Sequence, residues 1–125
     1  MFRVIICGSR EFDDYEFLRD KCDKILSRKA ADPTEEIVIV SGCAKGADTL
    51  GERYASERGY QVLRYPAQWD KYGKSAGFRR NKEMAEVSNA CIAFLSLTSE
   101  NRGTKNMIST ALKMNLLVRE VKEED

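Results

Sequence analysis

Binding a phosphate needs backbone N–H groups that the anion can reach, cations to balance its charge, and few side chains in the way. Two short turns in this chain combine these features. Gly8-Ser9-Arg10 follows the apolar run Val4-Ile5-Ile6-Cys7, and Ser41-Gly42-Cys43-Ala44-Lys45-Gly46-Ala47-Asp48 follows Ile37-Val38-Ile39-Val40. Glycine in such a turn lets the backbone come close to a ligand. Arg10 would grip a phosphate with its planar guanidinium, Lys45 would act as a point cation, and Ser9 and Ser41 would offer hydroxyls.

Two further segments carry suitable residues. Segment 69–81 contains Trp69, Arg79, Arg80 and Asn81, and segment 98–104 ends in Gly103-Thr104, which would open a helix and expose its first N–H groups. Neighbouring helical residues point about 100° apart, so one of Arg79 and Arg80 should face the site. Asn is a poor helix former, which marks Asn81 for a specific contact. Asp48 has two readings: an acid that stabilises its own helix N-terminus, or a partner for a sugar hydroxyl, a base edge or Arg10. Trp69 either covers the core beneath its loop or faces the ligand. Cys43 is either a small residue in a tight turn or a reactive thiol.

Several other chemistries are excluded. The chain has no histidine, so histidine triads and histidine bases are ruled out, and its four cysteines, Cys7, Cys22, Cys43 and Cys91, form no CxxC pair. No metal site and no cofactor are expected, and no residue is singled out as catalytic. Gly73-Lys74-Ser75 mimics the end of a Walker loop, but Gln68 stands where the first glycine is required. With 21 basic and 20 acidic residues the net charge is +1, which argues against a protein that coats nucleic acid by charge alone. No apolar run approaches the roughly 20 residues that span a bilayer, and Met1-Phe2-Arg3-Val4 is expected to run straight into a strand, with no signal peptide expected before it. A cytoplasmic protein with reduced cysteines and no membrane partner is expected, with Cys7 and Cys91 as core residues of strands.

The elements that position these residues alternate along the chain. Strands are expected at Arg3–Cys7, Ile37–Val40, Gln61–Tyr65, Ala90–Leu95 and Leu117–Val121, short and rich in Val, Ile and Leu as strands buried on both faces are. Tyr15, Leu18, Cys22, Ile25 and Leu26 form a helical stripe capped by Asp13 or Asp14. Further helices are expected at Ala47–Arg58, closed by Gly59, at Phe78–Val87, and at Thr104–Met114 with Asn115 as a left-handed cap. Pro66–Gly77 reads as a long irregular loop, Ala30–Glu36 as a polar loop, and Glu123–Asp125 as a frayed tip. The alternation predicts an α/β Rossmann-like three-layer sandwich over residues 1–125 as one domain. Its five-stranded parallel sheet would have order 3-2-1-4-5, with the ligand at the carboxyl ends of the strands where the order reverses.

The motifs also resemble a known family. Gly8-Ser9-Arg10 with Phe12 and Tyr15, Ser41-Gly42 with Gly46-Ala47-Asp48, Pro66-Ala67 with Trp69-Asp70-Lys71-Tyr72-Gly73, Arg80-Asn81 with Met84, and Arg102-Gly103-Thr104 with Met107-Ile108 resemble the YspA-like branch of the SLOG superfamily over almost the whole chain. The resemblance implies a Rossmann-like fold that binds nucleotides or nucleotide-derived ligands at these loops. It also implies kinship with the lonely-guy phosphoribohydrolases and with the DNA-processing protein A family, which binds single-stranded DNA. The phosphoribohydrolases carry a catalytic Glu three residues beyond their Gly-Thr, where this chain has Met107. Glu52, Glu83 or Asp48 would have to stand in for it. The YspA-like branch commonly has Gly in place of Cys43 and Asp in place of Asn89.

The expected partner is therefore a small nucleotide-like ligand, bound for sensing rather than turned over. A nucleotide N-glycosidase is the first alternative. A single-stranded DNA binder is the second, using Lys71, Lys74, Arg79, Arg80 and Lys82 with Trp69 or Tyr72 stacking on bases. A homo-oligomer is expected as well, with Tyr54, Trp69, Tyr72 and Phe78 as interface aromatics.

Overall fold

Apolar strand segments separated by amphipathic ones can bury both faces of a sheet only if helices cover it on each side. The computed structural model, which describes residues 1–98 and 100–123, has this arrangement. Strand β1 (Phe2–Gly8) leads into helix α1 (Tyr15–Ile25) and the short α2 (Ser27–Ala31). Next come β2 (Ile37–Ser41), α3 (Ala47–Arg58) and β3 (Gln61–Arg64). After β3 the chain forms α4 (Trp69–Tyr72), a 3₁₀ turn at Gly73–Ser75 and α5 (Ala76–Val87). It finishes with β4 (Ala90–Leu95), α6 (Arg102–Lys113) and β5 (Leu117–Lys122).

All strands are parallel, in the order β3-β2-β1-β4-β5. β1 pairs with β2 from Phe2 opposite Ile37 to Ile5 opposite Val40, and with β4 from Val4 opposite Ala90 to Gly8 opposite Phe94. Alternate side chains of β1 therefore enter different cores. Val4 and Ile6 pack with Ile39, Ile92, Phe94, Leu18 and Tyr54 on the α1–α3 side. Ile5 and Cys7 pack with Val40, Cys91, Met84, Met107 and Ile108 on the α5–α6 side. Cys7 and Cys91 are buried strand residues whose sulfurs lie 3.7 Å apart. The chain turns back across the sheet between β3 and β4, so connections leave β1 and β4 in opposite directions and open a crevice at their carboxyl ends.

Several local features match the residues that encode them. Asp14 caps α1, its carboxylate accepting the N–H of Phe17 at 3.1 Å. Gly59 closes α3 at φ 74° and Asn115 follows α6 at φ 64°, both left-handed. Others differ from expectation. Pro66–Gly77 is not irregular throughout, since it holds α4 and the 3₁₀ turn, and α5 starts at Ala76 rather than Phe78. The polar loop expected from Ala30 begins inside α2, and α6 begins at Arg102, two residues before Thr104. Single helical turns are too short to show a 3.6-residue period, which is why the pattern conceals them. Tyr54 lies in the core with no exposure, its hydroxyl donating to Asp23 Oδ1 at 2.7 Å, so it is not an interface residue. Of the expected tip, Glu124 and Asp125 lie outside the described residues. No described helix is long and apolar enough to cross a membrane.

Candidate functional site

At the carboxyl ends of β1 and β4 lies a cavity of about 640 Å³, within the ~300–1,000 Å³ typical of small-ligand sites. Its apolar floor is Cys7, Met84 and Met107. Arg10, Lys74, Arg80 and Arg102 supply cations, Glu11 and Asp48 carboxylates, and Trp69 and Phe78 an aromatic wall.

The β1 turn is held by its neighbours. Ser9 N–H donates to the carbonyl of Phe94 at 3.0 Å, and the carbonyl of Ser9 accepts from Phe12 and Ala47, both at 3.2 Å. Phe12, only 2% exposed, packs its ring 5.3 Å from that of Phe94. Ser9 Oγ accepts the N–H of Glu11 at 3.1 Å. Arg10 is thus an exposed side chain on an anchored turn at the cavity edge. The helix after this turn starts only at Tyr15 with Asp14 as its cap, so its N-terminus is already served and does not join the site.

Arg80 and Asp48 occupy the centre. Arg80 Nη1 donates to the carbonyl of Gly42, and Nε donates to Asn81 Oδ1 at 3.0 Å. Asp48 is 5% exposed, and its Oδ2 accepts the N–H of Ala44 at 3.3 Å. Burial pushes its carboxyl up to about 6, while the Ala44 N–H and the charges of Arg80 and Arg10 pull the other way. Both side chains lie over Gly42: a Cβ there would sit 2.6 Å from Arg80 Nη1 and 2.8 Å from Asp48 Oδ2. Gly42 is therefore glycine to admit these two groups.

Asn81 links α5 to α6. Its Nδ2 donates to Asn106 Oδ1 at 2.9 Å and to the carbonyl of Gly103 at 3.4 Å. The loop before α6 is fixed by Asn101, at φ 54°, whose Nδ2 donates to the Ser96 carbonyl at 2.7 Å and whose Oδ1 accepts the Ser96 N–H at 3.0 Å. Among the described residues no side-chain cap serves α6, and the first N–H groups of a helix have no intrahelical partner, where Arg102, Gly103 and Thr104 line the cavity.

Of the residues singled out from the sequence, the cavity brings together Gly8, Ser9, Arg10, Asp48, Trp69, Arg80, Asn81, Gly103 and Thr104. Ser41, Gly42, Lys45, Gly46 and Arg79 lie outside its lining. Ser41 Oγ donates to Glu52 Oε2 at 2.7 Å, and Arg64 holds Glu52 Oε1 at 2.8 Å, so that hydroxyl ties β2 to α3. Lys45 is exposed. Arg79 turns away, donating to Ser75 Oγ at 3.1 Å and lying 4.4 Å from the Tyr72 ring. Gly46, at φ 78°, has the Ser9 and Arg10 backbone where its Cβ would be, so it serves packing of the two turns. Cys43 is exposed at φ 63°, and burial of its sulfur with nearby Glu52 raises its thiol rather than activating it. Of segment 98–104, Ser99 lies outside the described residues.

The sequence reading does not single out Lys74, Phe78, Met84, Asn101, Arg102 or Met107 as lining residues. Helical spacing was an available signal: Met84 stands four residues after Arg80 and Met107 four after Gly103, on the same helix faces. Met107 is 1% exposed on the floor, so an apolar side chain stands where the phosphoribohydrolase pattern has its Glu. Among the three carboxylates considered as stand-ins, Asp48 borders this cavity, and Glu52 and Glu83 do not. Among the described residues no three His, Cys, Asp or Glu side chains cluster to hold a metal ion.

Comparison with known proteins agrees with this architecture. The Gene 61 protein of Mycobacterium phage D29 is 32% identical over 124 residues, covering 94% of each chain. The X-ray structure of DNA processing protein A from Streptococcus pneumoniae aligns with a TM-score of 0.53 at 15% identity. That alignment covers 94% of this chain and 57% of that one, so this chain spans little more than half of that protein, and the likeness is one of fold. The model of the YspA, cpYpsA-related SLOG family matches residues 2–72, and with the near full-length phage relative it establishes that the chain belongs to that family.

Proposed function

We propose that residues 1–125 act as one ligand-binding domain that holds a nucleotide or nucleotide-derived phosphorylated ligand in the cavity, in a sensing role. The observation that carries this is the pairing of Arg10 and Arg80 with the uncapped N-terminus of α6 on one small cavity. A phosphate there would meet guanidinium donors and free N–H groups, while the apolar floor of Met84 and Met107 excludes water beneath it. A cytoplasmic location belongs to the same proposal and is supported by the four free thiols. So does the homo-oligomer: a monomeric mass by light scattering at micromolar concentration removes it.

Calorimetric titration of a panel of nucleoside mono-, di- and triphosphates tests the reading. Arg10 is exposed and its removal spares the core, so Arg10→Ala should leave the melting temperature unchanged. Its ligand affinity should fall about ten- to a hundredfold, the worth of one charge-assisted contact at roughly 1.5–3 kcal/mol. No binding by any member, or equal affinity in wild type and Arg10→Ala, overturns the proposal.

A nucleotide N-glycosidase is the second reading, and Asp48 favours it. A buried carboxyl pushed up to about 6 beside the cavity is suited to proton transfer near neutral pH. Release of free base from a bound nucleotide, lost in Asp48→Asn, would establish it. An intact nucleotide after prolonged incubation leaves the binding role alone.

A further inference from the structure

We infer that the base of the bound nucleotide stacks on Trp69, so that the ligand runs from an aromatic wall formed by α4 and α5 to the cations beside it. This rests on the nucleotide reading and adds the orientation of the ligand. Trp69 is the chain's one tryptophan, yet it is 50% exposed, and Phe78 on the next helix is 45% exposed. Large aromatic rings are normally buried or placed at a binding surface, and both of these border the same cavity.

The indole is braced, not loose. A Cβ on Gly77 would lie 3.4 Å from Trp69 Cη2, so the edge of the ring rests against the first turn of α5. The same point is 3.9 Å from Arg80 Nη2. One glycine thus separates an aromatic surface from a guanidinium whose other donors go to Gly42 and Asn81. A ligand that fills both positions carries a flat π system and, a few ångströms away, an anionic group. A nucleotide has that form, and a bare sugar phosphate or inorganic phosphate lacks the ring. Stacking tolerates any base, so this wall fixes orientation without choosing between adenine and guanine.

Trp69 fluorescence reports on this position alone. The full chain is titrated with adenosine and guanosine monophosphates, with ribose 5-phosphate and with inorganic phosphate, following both emission and heat. Both nucleotides should quench Trp69, and ribose 5-phosphate should bind more weakly without quenching. Trp69→Ala should weaken the nucleotides about 5- to 150-fold and leave ribose 5-phosphate unchanged, with Trp69→Phe retaining most of the affinity. The wild-type quenching carries the test independently of how Trp69→Ala folds. Nucleotides that bind with heat but without quenching, and equally well to Trp69→Ala, overturn the stacking and leave the nucleotide reading standing. Absence of binding by all four probes overturns both.

Discussion

Asp48 is a buried carboxylate at the cavity, and its titration has a definite sign. Its carboxyl is raised from 3.8 to about 6, chiefly by burial, with Arg80 and Arg10 opposing the rise and Glu52 adding to it. The native state therefore holds a proton that the unfolded chain has released between about pH 4 and pH 6. Across that window the contribution of Asp48 to stability falls as pH rises, and above pH 6 the full penalty remains. A shift of about two units corresponds to roughly 3 kcal/mol at most. Asp48→Asn keeps an oxygen to accept the Ala44 N–H and removes the charge. The melting temperature of this variant relative to wild type should rise between pH 4 and pH 7. A difference that stays constant across that range contradicts the burial penalty. The uncharged variant should also hold inorganic phosphate more tightly at pH 7.5, because a carboxylate beside the anion repels it.

At the scale of elements, the turn after β2 and the turn after β1 form one locked unit. Ala47 N–H donates to the Ser9 carbonyl at 3.2 Å, and Gly46 fits beneath at φ 78°. Alanine at 46 meets both a left-handed backbone and the Ser9–Arg10 main chain. Gly46→Ala should lower stability by about 1–3 kcal/mol, while the folded fraction keeps its ligand affinity. An unchanged melting curve with weakened binding would show that the glycine instead faces the ligand. The elements themselves were legible because each leaves a mark in the chain: Val–Ile runs for β1 and β2, the apolar run Ala90–Leu95 for β4, Gly59 and Asn115 for the helix ends, Asp14 for the start of α1. What was not legible depends on neighbours distant in sequence. Ser41 and Arg10 look equally fit for phosphate, but Glu52, one helix away, captures the Ser41 hydroxyl, while Arg10 stays at the cavity. Arg79 and Arg80 differ by the helical rotation that was expected, and the capture of Arg80 by the Gly42 carbonyl shows which one turns inward. Single turns such as α4 carry no period, so the seat of Trp69 emerges only in three dimensions.

At the scale of the whole molecule, a net charge of +1 hides an uneven distribution. Four cations, Arg10, Lys74, Arg80 and Arg102, face two carboxylates, Glu11 and Asp48, around one cavity. That local excess suits a compact anion. An oligonucleotide needs a track of cations along its backbone, and the remaining basic residues of α4 and α5 do not line the cavity. Arg79 and Lys71 both lie by the Tyr72 ring, at 4.4 and 5.1 Å from its centroid, and neither lines the cavity. Single-stranded DNA should therefore bind weakly and through the rim. Contacts to four phosphates would give a log–log salt slope of about −2.8, or roughly a 50-fold loss of affinity between about 50 and about 200 mM salt. A nucleoside monophosphate, whose affinity comes partly from apolar contact and from hydrogen bonds to backbone N–H groups, should lose far less over the same range. Fluorescence anisotropy of a labelled 20-nucleotide strand, run beside calorimetry of the mononucleotide at both salt concentrations, separates the two. Tight oligonucleotide binding that survives physiological salt would make the cavity one part of a longer nucleic-acid path and displace the small nucleotide as its ligand.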